Sequence, residues 1–539
     1  MSDSAFAPFK HRIFTVLWVA TLISNIGAWM FNVTSGWLMT ELSPSPLMVS
    51  MVQAATALPI FLFSLPAGAL GDLFDRRKLL LWTQVLLAIT LFFFAWLLWQ
   101  GEINAWILLL FTFMTGIGSA FSAPAWQAII PRLVPRKMLS SAVTLNGISM
   151  NIARAIGPAL GGFILASAGA VITVLLDAVS YLAVVAALIW WCVITTQANP
   201  LPRERLVGAM RAGVRFALHS VPLRHTLFCS LVFFICASAY WALLPLVAKD
   251  ILQGSPSLYG ILLTAMGVGA VVGAFLLPIV KEHMNANKMM MLAMATTALC
   301  SVMFAYGESM EIGIAAGLIS GISWIIAMAS LNVSAQMSLP DWVRARGLAI
   351  FQMVSFGTMT IGSLGWGQTA EMIGLPLTLT ASGLLALLLI PVMGYFKLNQ
   401  GEHHDYTPSG HWGEPIQTTP VAHDHGPVLI TLEYRIDDAD RDMFYTLMRE
   451  LGIIRRRDGA IQWGFFEDTE DHGRFIEMFT VESWLAHLRQ HARVSAIDKI
   501  LQDKISDLHR GATPPRVMHA ITPHTGHRLK TVPNNHRNL

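Results

Sequence analysis

Charged residues are scarce in this chain of 539 residues: Asp, Glu, Lys and Arg together make up 13%, against 54% hydrophobic residues. Soluble proteins carry about 25% charged residues. This deficit of charged residues excludes an ordinary soluble fold for most of the chain. The net charge is only +3, which gives no reason to expect a nucleic-acid partner.

Cysteine is scarce as well. The chain has four cysteines, all in or at apolar segments and none with the spacing of metal ligands, which favours buried free thiols: Cys192, Cys229, Cys236 and Cys300. A nucleotide-binding P-loop is absent from the sequence, so ATP is not expected to drive the activity, and we expect no cofactor. The first apolar run is too long for a cleavable signal peptide and is expected to remain as a helix.

Long apolar runs are what the chain has in abundance. About 20 apolar residues are enough to cross a bilayer as a helix. Twelve such runs are present, at residues 13–40, 47–70, 79–99, 104–130, 139–166, 170–192, 225–248, 257–280, 288–306, 310–338, 347–372 and 375–396. A chain with so many crossings is typical of a transporter, because no structural task requires them.

The charges in the loops predict an orientation. Eighteen Lys and Arg residues lie in alternate loops on one side, whereas the other side holds only Lys249. The positive-inside rule therefore places the central loop and both termini in the cytoplasm. We expect a six-helix bundle at 1–192, a cytoplasmic loop at 193–224 and a second six-helix bundle at 225–397.

A short internal repeat supports two halves. Three residues at the end of the fourth run recur at a constant offset at the end of the tenth, so that Gln127, Pro131 and Val134 match Gln336, Pro340 and Val343. Parallel repeats of this kind are a common plan among transporters.

Three stretches resemble a known family. The loop after the second run resembles the loop signature of the major facilitator superfamily through Gly68, Asp72, Arg76 and Arg77. The fifth run resembles the antiporter motif of exporters in that superfamily through Gly157, Pro158, Gly161 and Gly162. Together with the fourth-run segment from Pro124 to Pro135 and a soluble C-terminal extension, these motifs make the chain similar to siderophore and drug exporters related to the enterobactin exporter.

The resemblance implies an all-α membrane fold of twelve transmembrane helices in the 6+6 major facilitator arrangement, located in the cell inner membrane. It implies that Asp72 forms a cytoplasmic latch against the start of the eleventh helix; the alternative is a solvated loop charge. It also implies that the glycines of the fifth run seal the protein against leak. Small residues by themselves explain only a tight helix crossing, which stays the alternative.

Two charges lie inside the predicted spans. Arg154 is near the middle of the fifth run and Asp177 is in the outer third of the sixth. Each costs about 2.5–3.5 kcal/mol at a helix centre. The two runs are consecutive and antiparallel, so the side chains are able to meet. Two interpretations stay open: a static buried pair, or an ion-coupling site in which protonation of Asp177 from outside loosens Arg154.

The cavity of this fold is lined mainly by the first, fourth, seventh and tenth helices. The residues expected to line it are aromatic or carry an amide, namely Asn25, Trp29, Asn32, Phe121, Trp126, Gln127, Tyr240, Trp241, Trp324, Asn332 and Gln336. Aromatic walls with a few amides suit an amphipathic, aromatic or uncharged-to-anionic ligand. A sugar site would carry similar residues, and helix packing is the alternative for each of them.

A soluble domain follows a polar linker at 398–425. Residues 426–521 predict strands and helices in the order βαββαβ, which indicates a ferredoxin-like α+β domain. The domain resembles the dimeric α/β-barrel family, which includes small cofactor-free monooxygenases, and this implies a homodimer. His487 and His491 share one helix face, but without an identifiable third ligand we predict no metal site. Catalysis, ligand sensing and dimerisation stay open for the domain, and the tail at 522–539 is expected to be disordered.

Together these features predict a secondary active transporter and not an enzyme. We expect it to export small amphipathic molecules, siderophore-like or drug-like, by alternating access coupled to proton exchange. Its expected partners are the small-molecule substrate, the proton and the lipid bilayer. The alternatives are a membrane-tethered enzyme or ligand sensor whose C-terminal domain is the main actor, and a permease for metabolite uptake.

Overall fold

The computed structural model describes residues 6–73, 75–191, 206–398, 407, 409–412 and 421–523. The chain divides into two compact units. Nearly all residues up to Glu402 belong to the first unit, and the second comprises His403–Leu539 together with Leu218–Ser220 and Pro340–Trp342.

The first unit is built from helices. They are α1 (Arg12–Leu42), α2 (Pro46–Leu73), α3 (Arg76–Gln100), α4 (Ala105–Leu133), α5 (Leu139–Trp190), α6 (Leu206–His219), α7 (Val221–Leu246), α8 (Pro256–His283), α9 (Ala286–Tyr306), α10 (Met310–Met337), α11 (Arg344–Ile373), α12 (Leu375–Leu388) and α13 (Ile390–Tyr395). Within the described residues, eleven helical stretches are long and apolar enough to cross a membrane, with α12 and α13 joined as one. The chain is therefore a multi-pass membrane protein.

Helix α5 is two segments that meet at Gly169. It has 52 residues, which is about 78 Å at 1.5 Å per residue, more than twice the ~30 Å hydrocarbon core. Gly169 has a φ of 83° and a ψ of 172°, outside the helical region. Glycine adopts this conformation without the strain that a side chain would add. The break lies between the fifth and sixth predicted runs.

The helix ends are set by local capping. The side chains of Asn104, Asn285 and Ser309 each accept a hydrogen bond from a backbone N–H in the first turn of the following helix. Such residues satisfy backbone donors that have no partner inside the helix. Gly101, with a φ of 78°, ends α3 in the left-handed conformation that favours glycine.

Part of the predicted central loop is helical. Helix α6 lies within it and buries Ala212, Phe216 and Ala217 along one face. This spacing of three to four residues is typical of an amphipathic helix. Helix α7 also begins at Val221, earlier than the expected start at 225. Residues 193–205 of the predicted loop lie outside the described residues.

The helices of the first unit pack in two groups with contacts between them. In the first group α1 packs on α5, α2 on α4, and α3 on α4 and α5. In the second, α8 and α9 pack on α10, α7 on α11, and α9 on α12. The principal contacts between the groups are those of α2 with α11 and of α5 with α8.

Polar contacts also join the two groups. Ser45 Oγ donates to Glu371 Oε2 at 2.6 Å, and Lys249 Nζ donates to the carbonyl oxygen of Thr40. These residues lie at the helix ends that the positive-inside rule places outside. Near the opposite end of α2, Ser64 Oγ donates to a backbone carbonyl of α11 at 3.3 Å. Helices α2 and α11 therefore contact each other along most of their length.

The second unit contains one four-stranded sheet. Its elements are β1 (Val428–Arg435), α14 (Arg441–Asp458), β2 (Gln462–Glu467), β3 (Arg474–Val481), α15 (Trp484–Arg493), α16 (Ala496–Asp507) and β4 (Arg516–Ile521). The strands are antiparallel in the order β2-β3-β1-β4. The predicted order has a single helix between the third and fourth strands, but two helices are found there because Ser495 forms a capping box with Asp498 at the start of α16. Most of the predicted linker and tail lies outside the described residues.

The core of the second unit contains a buried ion pair. Glu477 is fully buried and accepts hydrogen bonds from Arg455 Nε at 2.9 Å, Trp463 Nε1 at 3.0 Å and the Tyr434 hydroxyl at 3.2 Å. Burial, followed by the charge of Glu477, raises the pKa of Tyr434 well above its usual value. Burial alone would lower the pKa of Arg455, but the pairing with Glu477 outweighs it and the pKa is raised. Because every polar atom of the carboxylate has a donor, the charge is tolerated in the interior.

Candidate substrate cavity and interhelical contacts

A cavity of about 150 Å³ lies between α1, α2, α7 and α8. Its aromatic wall is formed by Trp29, Trp241 and Tyr259, and its polar groups by Asn32, Gln53 and Thr56. Trp29, Asn32 and Trp241 were predicted from the sequence to line a cavity. The residues contributed by α2 and α8 were not predicted.

A second, smaller pocket adjoins the first. Both are lined by Trp29, Trp241 and Leu263, and the second adds Arg154 and Trp324. The indole rings of Trp241 and Trp324 lie 5.1 Å apart, centre to centre, in an edge-to-face arrangement. The two pockets together therefore form a space with aromatic walls and one cation, Arg154.

Arg154 has few interactions in this space. Its guanidinium carbon lies 5.8 Å from the centre of the Trp29 ring, a cation–π contact. Its Nε is buried and has no hydrogen-bond partner among the described residues. A buried guanidinium nitrogen without a partner carries a desolvation cost, so an anionic group entering the space would be stabilised there.

Asp177 lies elsewhere and does not meet Arg154. It is buried, accepts a hydrogen bond from Ser180 Oγ at 3.3 Å, and lies against Gly27 of α1, where any Cβ would collide with its carboxylate. Among the described residues, Arg154 and Asp177 form no ion pair. The side chains were able to meet by their positions in the sequence, but Asp177 lies against α1, whereas Arg154 lines the pocket. The ion-coupling role of the two residues stays a prediction.

Trp324, which was also predicted, lines the second pocket, and the remaining predicted cavity residues line neither pocket. Six of them have other surroundings, as follows. Tyr240 is buried against Phe304, and Phe121 packs on Phe63. Trp126 Nε1 donates a hydrogen bond to Asn146 Oδ1 at 2.8 Å, and the side-chain amide of Asn332 donates one to the carbonyl oxygen of Met328. Gln127 and Gln336 are exposed. Asn25 is half-buried on α1. Their proposed contact with substrate stays a prediction.

The glycine motif of α5 makes two different contacts. A Cβ at Gly157 would lie 2.6 Å from Trp29 Cβ, and one at Gly161 would lie 2.7 Å from Met30 Cα, so both glycines allow α5 to approach α1. Gly162 faces the other group of helices, because a Cβ there would lie 3.0 Å from the Cα of Gly260 on α8.

The contact with α8 is reciprocal. A Cβ at Gly260 would lie 2.5 Å from the carbonyl oxygen of Pro158 and 3.0 Å from Gly162 Cα. Backbone therefore meets backbone where α5 crosses α8, which is the arrangement that small residues permit between membrane helices.

The loop motif is only partly described. Gly68 and Asp72 belong to the last turns of α2, but the side chain of Asp72 lies outside the described residues, so the latch stays a prediction. Arg76 is the first residue of α3. The side chain of Asp75 caps α3 by accepting hydrogen bonds from the N–H groups of Arg77 and Lys78.

Arg77 contacts the far end of α5. Its Nε donates to the carbonyl oxygen of Leu188 at 2.8 Å, and its Nη2 donates to that of Ile189 at 3.2 Å. Carbonyl groups in the last turn of a helix lack partners within the helix, and a cation there also complements the helix dipole. Arg77 therefore fixes the start of α3 to the end of α5.

Comparisons with known proteins agree with this architecture. A family model described as "Transmembrane secretion effector" matches residues 3–526 of the chain. The match extends through the second unit, up to the residues that follow β4.

Three relatives align over nearly their whole length. The "Staphyloferrin A transporter" of Staphylococcus aureus is 28% identical over 397 residues, which cover 70% of this chain and 96% of that protein. The "Enterobactin exporter EntS" of Escherichia coli is 24% identical over 405 residues, covering 74% and 94%. The "Multidrug efflux pump Tap" of Mycolicibacterium fortuitum is 23% identical over 384 residues, covering 69% and 92%.

A solved structure has the same fold as the first unit. A POT family transporter in complex with 5-aminolevulinic acid superposes with a TM-score of 0.59 at 14% identity, covering 71% of this chain and 96% of that one. At this identity the likeness concerns the fold alone.

Proposed function

Because the chain belongs to the transmembrane secretion effector family of major facilitator transporters, we propose that it exports small amphipathic molecules, siderophore-like or drug-like, in exchange for protons. Membership of this family makes the protein a transporter and not an enzyme. Alternating access follows from the fold: two groups of helices rock around a central site. The substrate class and the coupling ion are proposed on the arguments below.

We propose twelve transmembrane helices in two groups of six, in the inner membrane with both termini in the cytoplasm. The break of α5 at Gly169 supports this count, because it divides one of the eleven stretches into two spans. The excess of Lys and Arg on one side supports the orientation.

One observation carries the substrate class: Arg154 lies in a space whose walls are the indole rings of Trp29, Trp241 and Trp324. A guanidinium group is a strong partner for carboxylate and other oxyanions. Indole rings bind flat apolar or aromatic groups. A molecule with an anionic end and an apolar or aromatic body suits this combination. Relatives of this chain are named for staphyloferrin A, enterobactin and multidrug efflux.

Asp177 is the proposed coupling group. It is a buried carboxylate that accepts from one serine hydroxyl and has no ion-pair partner among the described residues. Protonation would remove the charge of this buried carboxylate, and with it the cost of burying that charge. Proton uptake from outside during the return step would give antiport.

Transport by everted membrane vesicles tests this function. Vesicles that contain the full chain would be offered catecholate siderophores, dyes and drugs, with and without an imposed proton gradient. Arg154→Gln removes the cation of the pocket, and Lys288→Gln, at an exposed position on α9, is the matched control. A hydrogen bond to a charged group contributes about 1.5–3 kcal/mol, so we expect Arg154→Gln to weaken apparent affinity for an anionic substrate about 10- to 100-fold.

The outcomes are distinct. Gradient-dependent accumulation that is weakened by Arg154→Gln but not by Lys288→Gln supports export through this pocket. Equal accumulation by both variants would remove Arg154 from substrate binding. If no compound accumulates in vesicles that hold both protein and gradient, uptake in the opposite direction becomes the better proposal.

For the second unit we propose a ferredoxin-like domain. The alternation of helices and strands and the antiparallel order β2-β3-β1-β4 support this assignment. A homodimer through this domain stays a prediction from the family resemblance. Light scattering of the purified protein would test it, and a monomeric mass would contradict it.

A further inference from the structure

Three histidines from two elements meet in the second unit. His487 and His491 lie one turn apart on α15, and His519 lies on β4. One ring nitrogen from each lies within 4.8 Å of the others. The closest pair is His487 Nε2 and His491 Nε2, at 3.2 Å. The helix spacing identified two of these residues, and the third is contributed by the far end of the domain.

The sheet explains why His519 faces the helix. Strand β4 pairs with β1, and His519 lies opposite Ile430, which is buried. Residues directly opposite in neighbouring strands point to the same face. His519 therefore points to the covered face of the sheet, where its ring centre lies 4.8 Å from that of His487.

The spacing of the nitrogens suits a metal ion. Imidazole nitrogens bind zinc at about 2.0–2.1 Å with tetrahedral geometry, which places ligand nitrogens about 3.3 Å apart. The His487–His491 pair already has this separation. His519 needs a shift of roughly 1.5 Å, which a change of its side-chain torsions can supply.

Unsatisfied polar groups surround the cluster. His487 and Gln490 are both buried, and neither His487 Nδ1 nor either polar atom of the Gln490 side chain has a hydrogen-bond partner among the described residues. Histidines that bind metals usually donate their other ring N–H to an oxygen acceptor nearby. The Gln490 side chain, three residues from His487 on the same helix, carries such an acceptor.

We propose that His487, His491 and His519 form a binding site for a late first-row divalent metal ion, with zinc as its probe. Three neutral imidazoles favour zinc, copper, nickel or cobalt over magnesium and calcium, which prefer oxygen ligands. Three protein ligands leave a fourth position for water or for a donor atom from another molecule. The bound ion would join α15 to the edge strand β4.

The test is the metal content of the full-length protein without an affinity tag. Thirteen of the seventeen histidines follow residue 400, so weak binding elsewhere has to be separated from the site. The protein in detergent would be loaded with Zn²⁺, dialysed against a weak chelator, and measured for zinc per chain. His491→Gln and His519→Gln each remove one ligand. His472→Gln is the matched control, because its side chain is 86% exposed in the same domain.

We expect wild type and His472→Gln to retain one zinc per chain, and the two site variants to lose it. Loss of a second-layer partner weakens metal binding about 10- to 100-fold, and loss of a direct ligand should exceed that. The same zinc content in all four proteins would overturn the proposal.

Two further measurements separate a lost ligand from a lost fold. Zinc should raise the thermal unfolding temperature of wild type and His472→Gln only, while the metal-free proteins unfold alike. Cobalt bound to wild type should give the intense visible absorption of a four-coordinate ion. A weak spectrum typical of six-coordinate cobalt would refute a four-coordinate site at these histidines even if a variant failed to fold.

Discussion

The crossing of α5 and α8 allows one prediction to be worked out in detail, because no side chain at that point can move aside. In Gly162→Ala the new Cβ would lie 2.6 Å from the carbonyl oxygen of Pro256 and 3.0 Å from the Cα of Gly260. Relaxed contacts between carbon atoms are about 3.5–4.0 Å. The helices must therefore separate by up to about 1 Å, and both opposing atoms belong to the backbone of the neighbouring helix.

The energetic consequence depends on conformation. Overpacking of this kind costs about 1–3 kcal/mol. The cost applies only when α5 and α8 touch, so alanine favours any conformation in which they are apart. A difference of that size changes the ratio of the two populations about 5- to 150-fold.

Spin labels can measure this change. Glu102 and Glu308 are exposed in the loops that follow α3 and precede α10, and both loops are on the predicted external side. Labels at these positions, in a background without native cysteines, report the distance between the two helix groups by double electron–electron resonance. Gly147→Ala is the matched control, because it adds the same methyl group to α5 with no atom of a neighbouring helix within 4 Å.

We expect a longer-distance population in Gly162→Ala and none in Gly147→Ala. Gly260→Ala should give the same change, and the double variant should not add to it, because both methyl groups open one contact. The reasoning would be refuted if Gly162→Ala and Gly147→Ala gave the same distance distribution.

Three further predictions follow from buried groups. Asp177→Asn should remove the dependence of vesicle transport on the proton gradient, whereas Ser180→Ala should retain it. Arg455→Met should destabilise the second unit by about 3–5 kcal/mol in chemical denaturation, because it leaves Glu477 buried without a cation, and adding Glu477→Gln should restore much of that loss. Burial, followed by the charges of the neighbouring histidines, lowers the pKa of His487 to about 3, so stability of the metal-free second unit should be full above pH 6.5 and fall as the pH drops towards 3. A thermal unfolding temperature that is constant over that range would contradict this.

The membrane helices could be predicted because the bilayer fixes their length. Every predicted run lies mostly within a helix, and Gly169 separates the two runs that share α5. The amphipathic helix α6 was missed because its apolar positions are too few to form a membrane run. Its pattern of buried Ala212, Phe216 and Ala217 was nevertheless present in the sequence.

The cavity could be predicted only in part. Trp29, Asn32 and Trp241 lie in its wall and Trp324 in that of the adjoining pocket, but Gln53, Thr56 and Tyr259 come from helices outside the expected set. A helix that is apolar on all sides has no sequence pattern that tells which face points to the centre of the protein. The depth of a charged residue can be estimated from its place in a run, but its partner depends on the rotation of the helix.

The histidine cluster shows the same limit in a different fold. Spacing along one helix places His487 beside His491 without further knowledge. His519 joins them through the register of β4 against β1, which sequence alone does not specify. Long-range strand pairing is set by packing of whole faces.

Helix α1 provides the physical link between the buried carboxylate and the pocket. Gly27 lies against Asp177, whereas Trp29, two positions further on, lines both pockets and contacts Arg154. Positions two residues apart on a helix point to roughly opposite sides, so α1 separates the two groups and touches both. Protonation of Asp177 would alter its packing on Gly27. Because Gly27 and Trp29 both belong to helix α1, a shift of that helix would also move Trp29. If Asp177 is the coupling group as proposed, its contact with α1 offers a route to the pocket through displacement of that helix.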